Sequence, residues 1–311
     1  MRCLECASVY QDPRVDEDDL PACYASGYFT HDLAGTEGAH DVVAPDSSRG
    51  RMRRAILHAA DGSPAEGLPR AERWLGLVLA QSPSLRRRAR YGLADSLGTR
   101  GGEAARCLEV GPGRGLDLLQ LRRIGWQAHG LEMDAEAAAG ARTVSGCEVR
   151  VGTLTSTDYA PGSFQLIYMN HVLEHLPRLE ASLARCLELL APDGRLFAAY
   201  PNLRALTASF YGRHSCVWDP PRHLTVPEPR ALLELLRRLG FVRTHAWTSA
   251  ARAAAYRRAS LRHAHGQKGF ASDSAGPTLG DRAFAALERG LTLFGAPVGE
   301  EVFVIAHRPG A

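Results

Sequence analysis

Glu109, Gly111, Gly113, Gly115 and Glu132 are the residues whose types and spacing carry the plainest chemistry in this 311-residue chain. They fall in Arg-Cys-Leu-Glu-Val-Gly-Pro-Gly-Arg-Gly, which starts at Arg106, and in His-Gly-Leu-Glu-Met-Asp, which ends at Asp134. Glycines at alternate positions let a backbone turn tightly and lie against a ligand where a Cβ would collide. Glu132, about 20 residues beyond the turn, suits a ribose diol, whose two hydroxyls donate to one carboxylate. Glu109 sorts the ligands. Its carboxylate opposes a pyrophosphate and favours a ligand that carries an ammonium and a sulfonium. A dinucleotide site also wants Gly or Ala where this chain has Leu116, which makes a dinucleotide the weaker reading.

Together these residues resemble the S-adenosylmethionine site of the class I methyltransferases, whose first motif is an acidic residue followed by G-x-G-x-G. The resemblance covers about residues 106–307. It implies a Rossmann-like α/β fold, with a seven-stranded sheet whose last strand is antiparallel, flanked by helices. S-adenosylmethionine is then the cofactor. Glu109, Gly111, Gly113, Gly115 and Glu132 hold it, with Thr153 and Leu154 at the end of the third strand, beside the adenine, and Asn170 at the end of the fourth.

Histidines supply the other chemistry. His171-Val-Leu-Glu174-His175 matches H-x-x-E-H, in which two histidines one helical turn apart share a metal. A protease would carry that motif within a long helix, whereas here it follows directly on a buried strand. Asn-His-Val-Leu-Glu-His-Leu instead resembles the segment after the fourth strand of methyltransferases acting on quinones, sugars and lipids. Some quinone-modifying relatives place a divalent ion on an acidic residue and a Glu-His pair at this point. His171 occupies the first of those positions, so no metal is assigned.

Trp218-Asp-Pro-Pro-Arg-His223 resembles a stretch common in a bacterial small-molecule subgroup, and it puts Trp218, Asp219 and Arg222 on the acceptor side. His223 is the first candidate for a general base and His171 the second, because imidazole titrates near neutral pH. The plain structural alternative is an Asp219–Arg222 ion pair with His223 capping the next turn. Cys3-x-x-Cys6 is half of a tetrahedral zinc site, and residues 1–31 resemble a zinc-ribbon remnant. Cys23 and His31 lie at spacings that complete no recognised pattern.

The elements that must position these groups follow from the apolar periodicity. Leu108 and Val110 mark a short buried strand, and Leu116, Leu118, Leu119 and Leu121 the buried side of a helix. Further strands are expected at residues 126–131, 148–151, 164–169, 195–200, 241–248 and 301–307, with helices between them. Residues 32–104 read as a linker followed by helices, among them an Arg-rich one at 85–97. An insertion at 250–299 combines a basic helix over 250–265, a polar stretch and an apolar helix over 284–298. As a lid, a self-contact surface or a membrane-surface element it has three open roles, and the self-contact would make a homodimer. The domain reading is therefore 1–31, 32–104 and 105–311.

Hydrophobic residues make up 45% of the chain and the net charge is +3, which suits a globular protein and gives no nucleic-acid footprint. No apolar run approaches the ~20 residues of a membrane span. Seven cysteines without a regular framework suggest reduced thiols in the cytoplasm. The expectation is a methyltransferase acting on a small molecule, with O-methylation favoured. Its rivals are a dinucleotide-dependent oxidoreductase and an inactive cofactor-binding partner subunit.

Overall fold

The alternating apolar residues of the expected strands settle on the two faces of one mixed sheet. The computed structural model describes residues 1–24, 48–61, 67–82, 85, 105–123, 125–267 and 277–310. Strand β1 (Val9–Tyr10) is followed by helices α1 (Ser48–Asp61) and α2 (Arg70–Leu79). Then come β2 (Arg106–Val110), α3 (Leu116–Arg123), β3 (Gln127–Glu132), α4 (Ala135–Ser145), β4 (Glu148–Val151) and β5 (Phe164–Asn170). Next are α5 (Leu179–Leu189), β6 (Leu190–Pro201), α6 (Leu206–Tyr211), β7 (Thr225–Val226), α7 (Pro229–Leu239) and β8 (Val242–Ser249). Helices α8 (Ala253–Ala264) and α9 (Leu279–Leu293) precede β9 (Glu301–His307).

Seven strands lie in the order β4-β3-β2-β5-β6-β9-β8. The first five run parallel, and β9 runs antiparallel between β6 and β8. Successive residues point to opposite faces. Leu108, Ile167 and Met169 pack with Leu183 and Cys186 of α5 and Leu232 and Leu236 of α7. Cys107, Leu166 and Tyr168 pack on the other face with Leu118 and Leu121 of α3 and Ala138 and Ala141 of α4. Burial of each such large side chain contributes roughly 1.5–3 kcal/mol, so the central strands hold the loops at their carboxyl ends firmly in place.

Several expected elements differ in extent. The last helix begins earlier than periodicity indicates, at Leu279, because Thr278 and Asp281 form a reciprocal capping box. Asp281 also accepts from Arg257 of α8, which ties the two helices of the insertion together. Residues 1–24 do not stand apart from the sheet domain. β1 pairs antiparallel with β7, Ser8 Oγ accepts from Glu228 N at 3.0 Å, and Arg14 donates to the Pro177 carbonyl. Most of the expected Arg-rich helix, His31 and the polar stretch at 268–276 lie outside the described residues. Among the described residues, no helix is long and apolar enough to cross a membrane.

One buried contact between the insertion and the sheet is acidic on both sides. Glu288 of α9 faces Glu300, which also accepts from Thr207 Oγ1 at 2.5 Å. Neither Glu288 oxygen, nor Oε1 of Glu300, has a donor among the described residues. Burial foremost holds both carboxyls above their usual range. Each is harder to ionise folded than unfolded. The contact is therefore most stable below the ordinary glutamate range and weakens as pH rises through neutrality. Glu288→Gln keeps the hydrogen-bonding shape without the charge and should raise Tm by about 2–4 °C at pH 9. The gain should shrink towards pH 5 in thermal melts, and an equal or lower Tm at pH 9 would contradict the cost of ionising this contact.

Candidate active site

The turn after β2 is built from glycines at positive φ, 67° at Gly111, 48° at Gly113 and 75° at Gly115. Two of them serve the protein's own packing as well as any ligand. A Cβ on Gly111 would meet Val172 Cγ2 at 2.8 Å, and one on Gly115 would meet the Ala141 backbone oxygen at the same distance. Gly113 N donates to Glu132 Oε2 at 3.2 Å, so the carboxylate at the end of β3 reaches into the turn. Its other oxygen accepts from Met133 N and Asp134 N at 2.9 and 3.3 Å. Glu132 is thereby held at the strand tip by backbone donors.

Three acids ring this turn. Glu109 is only 2% exposed, and its Oε2 has no hydrogen-bond partner among the described residues. Burial, and then the charges of Asp117 and Glu132, hold its carboxyl well above the ordinary range. Asp117, in the first turn of α3, accepts from Tyr168 Oη at 2.8 Å and Asn170 Nδ2 at 3.0 Å. Asp117 joins the acids at this turn, and the motif reading did not single it out. Its one signal was an acid in the first turn of a helix, a place acids favour for general reasons.

A buried carboxyl left unpartnered beside two further acids fits a ligand that brings positive charge and donors. It does not fit a pyrophosphate. Glu109, Glu132, Asn170 and the glycine turn therefore suit S-adenosylmethionine. At the end of β4, Thr153 N donates to Ser156 Oγ at 2.8 Å within an exposed turn, while Leu154 is buried against the core.

The histidine motif sits at the end of β5. His171 has a φ of 55°, a region that costs a non-glycine residue roughly 1–3 kcal/mol. That backbone sets its ring between two buried carboxylates, with Nδ1 3.1 Å from Glu174 Oε1 and Nε2 2.9 Å from Glu301 Oε1. Burial alone would lower the His171 pKa, but these two hydrogen bonds outweigh it and raise the value to about 9. His171 is thus an imidazolium at neutral pH, with both nitrogens donating. Arg252 and Tyr256 of the insertion approach the same Glu301 oxygen at 3.2 and 3.4 Å. Sequence spacing gave no sign of these three partners, which lie far along the chain.

His175 Nδ1 lies 2.9 Å from the Arg222 carbonyl and 3.0 Å from Tyr24 Oη. Burial foremost lowers its pKa to about 4, so this ring is neutral. His223 Nδ1 lies 2.8 Å from the Val217 carbonyl, and the two rings meet edge to face at 4.9 Å. A backbone hydrogen bond from Leu224 N to Glu174 O, at 2.8 Å, anchors the segment from Val217 to Leu224 beside them. Within that segment Asp219 and Arg222 form an ion pair at 2.5 Å, and Trp218 Nε1 donates to Gly212 O at 2.8 Å. The structure thus brings His171, Arg222 and His223 into one cluster with Glu174 and His175.

Cys3 and Cys6 lie on a tight turn, where Cys3 N donates to Ser8 O and Ala7 N to Cys3 O. Among the described residues they meet no third His, Cys, Asp or Glu placed to share a metal.

A family model described as a methyltransferase domain matches residues 71–246. Over 104 residues the chain is 35% identical to a ubiquinone biosynthesis O-methyltransferase of Xanthomonas euvesicatoria pv. vesicatoria, a stretch that is 32% of this chain and 44% of that protein. A protein of the same description from Xanthomonas axonopodis pv. citri is 34% identical over 104 residues, again 44% of its length. The chain thus matches less than half of either relative. A solved S-adenosylmethionine-dependent methyltransferase from Archaeoglobus fulgidus aligns over 75% of this chain and 93% of its own, with a TM-score of 0.48 and 18% identity. Since the family model covers more than half of its length, the chain belongs to the methyltransferase-domain family, with S-adenosylmethionine as its cofactor.

Proposed function

We propose that this protein transfers the S-adenosylmethionine methyl group to a hydroxyl of a small molecule, in the class of sugars, quinones, lipids or natural-product precursors. The observation that supports it is the end of β5. Asn170 there donates to Asp117 of the acid-ringed turn, and the next residue, His171, ties into the histidine cluster. A cofactor side and an acceptor side therefore adjoin across a single peptide bond. The partial identity to two O-methyltransferases favours oxygen as the acceptor atom. Reduced thiols fit a cytoplasmic setting.

The cofactor's sulfonium supplies the electrophile. Glu132 would accept from the ribose hydroxyls and Glu109 would meet the ammonium. The protein's remaining work is to align the acceptor, exclude water and remove one proton. Of the two candidate bases, His171 is already protonated and bound on both sides, which makes it a positioning group. His223 donates a hydrogen bond from its Nδ1–H to the Val217 carbonyl, leaving the Nε2 lone pair to take the hydroxyl proton. Trp218 and the Asp219–Arg222 pair would shape the acceptor side, and residues 1–24 would cover it through Tyr24.

Glu132→Ala should leave ribose hydroxyls unpaired and weaken S-adenosylhomocysteine binding by about 1–3 kcal/mol in calorimetry, with the fold retained. Unchanged affinity would remove Glu132 from the cofactor site. His223→Ala should keep cofactor affinity and lose roughly 10²-fold in turnover of a methyl-labelled cofactor with fractionated extract as the acceptor source. Parent-like turnover per folded molecule would leave His223 only its structural contact to Val217.

A further inference from the structure

We propose that Asp117 is a positioning residue for the cofactor: its carboxylate fixes which edge of the Asn170 amide the cofactor meets, so that Asn170 presents an acceptor to the ammonium. The inference rests on the S-adenosylmethionine reading and extends it to a residue of the helix after the glycine turn.

Strand register brings the groups together. Glu109 of β2 pairs with Tyr168 of β5, and paired residues of neighbouring strands share a sheet face. A period of two puts Asn170 on that face as well, one step nearer the carboxyl end. Helix α3 packs on the same face through Leu118 and Leu121, and its first turn carries Asp117 to the strand tip. One oxygen of Asp117, Oδ2, accepts both from Tyr168 Oη at 2.8 Å and from Asn170 Nδ2 at 3.0 Å.

The Asn170 amide has two edges of opposite character, and half a turn about its last side-chain bond exchanges them with almost no change in shape. An ionised carboxylate accepts only, so it selects between them. Asp117 takes the NH2 edge, whereas the reversed amide would set two oxygens against each other. Oδ1 is left on the edge away from Asp117. No donor meets it among the described residues, and Asn170 is half-buried at the end of its strand.

An ammonium is the matching partner. It carries three N–H donors and needs more than one acceptor. Glu109 and Asn170 Oδ1 supply two, from neighbouring strands and one sheet face. A reversed amide would offer N–H donors there and suit an anionic group instead. Asp117 thus sets the sign of the group received at this end of the site, through Asn170 and without touching the ligand. Tyr168 in turn secures Asp117. Its ring is 0% exposed, so a carboxylate that swung away would leave a buried hydroxyl unpaired.

The test is calorimetric binding of two probes to the full chain. S-adenosylhomocysteine carries the amino-acid end with its ammonium, and 5′-methylthioadenosine keeps the adenosine and thioether without it. Asp117→Ala should lose roughly tenfold or more in affinity for S-adenosylhomocysteine and stay within about twofold for 5′-methylthioadenosine. Asp117→Asn, whose side-chain oxygen still accepts both bonds, should recover most of that loss. Asn170→Ala leaves the helix unaltered and should lose the same factor, and the double variant no more than either, because the two residues act through one contact. Equal losses for both probes would make Asp117 a packing residue and overturn the inference. Parent-like S-adenosylhomocysteine affinity in Asp117→Ala, or additive losses in the double variant, would overturn it too while leaving the cofactor reading intact. An unsubstituted protein that binds neither probe would instead overturn the cofactor reading, and this inference with it.

Discussion

Like charges collected at the end of a buried sheet are the constraint that the rest of this structure accommodates. Glu109 is carried into the interior by β2, whose neighbours on both sides are fixed by parallel pairing. Leaving the carboxyl there without a cation disfavours its charged form and holds its pKa above the ordinary range. Asp117 and Glu132 add to that cost, yet each is held in place by donors, Tyr168 and Asn170 for one and backbone amides for the other. The chain supplies donors around the ring of acids but no counter-charge to Glu109 among the hydrogen bonds described. A ligand with an ammonium and a sulfonium relieves this arrangement, and a dinucleotide makes it worse.

The second half of the site depends on the first through the end of β5. Asn170 and His171 face different clusters, and the left-handed backbone at His171 is what separates them. The imidazolium between Glu174 and Glu301 then joins three stretches distant in sequence, because Glu301 opens β9 and meets Arg252 and Tyr256 of the insertion. The insertion thereby touches the histidine cluster through charge as well as through packing. Residues 1–24 close over the same region, with Tyr24 on His175 and β1 on β7. This gives the N-terminal segment contacts to the histidine cluster that its cysteine pair did not foretell.

Legibility in the sequence followed the range of the interaction. The strand–glycine turn–helix unit around Gly111 was readable because its constraints are local: alternating burial, positive φ, and a carboxylate at the next strand's tip. The antiparallel direction of β9 followed from family resemblance, since periodicity identifies a strand and not its direction or neighbours. Asp117 was hidden because an acid in a first helical turn has a sufficient bland explanation. The protonation of His171 was hidden for a different reason. Its two carboxylates come from residues 174 and 301, and only the folded chain sets them on either side of one ring. The start of α9 was missed because a polar capping box, and not the apolar stripe, sets it.

The account turns on Glu109 meeting a cation, and proton release reads that directly. A calorimetric titration of the protein with S-adenosylmethionine, run near neutral pH in two buffers of different ionisation enthalpy, measures the protons exchanged on binding. An ammonium beside Glu109 favours its charged form, so binding should release protons to the buffer, Glu109→Gln should abolish that release, and NAD should give no binding heat. Cofactor binding without proton release, or NAD binding in place of S-adenosylmethionine, would contradict the central claim.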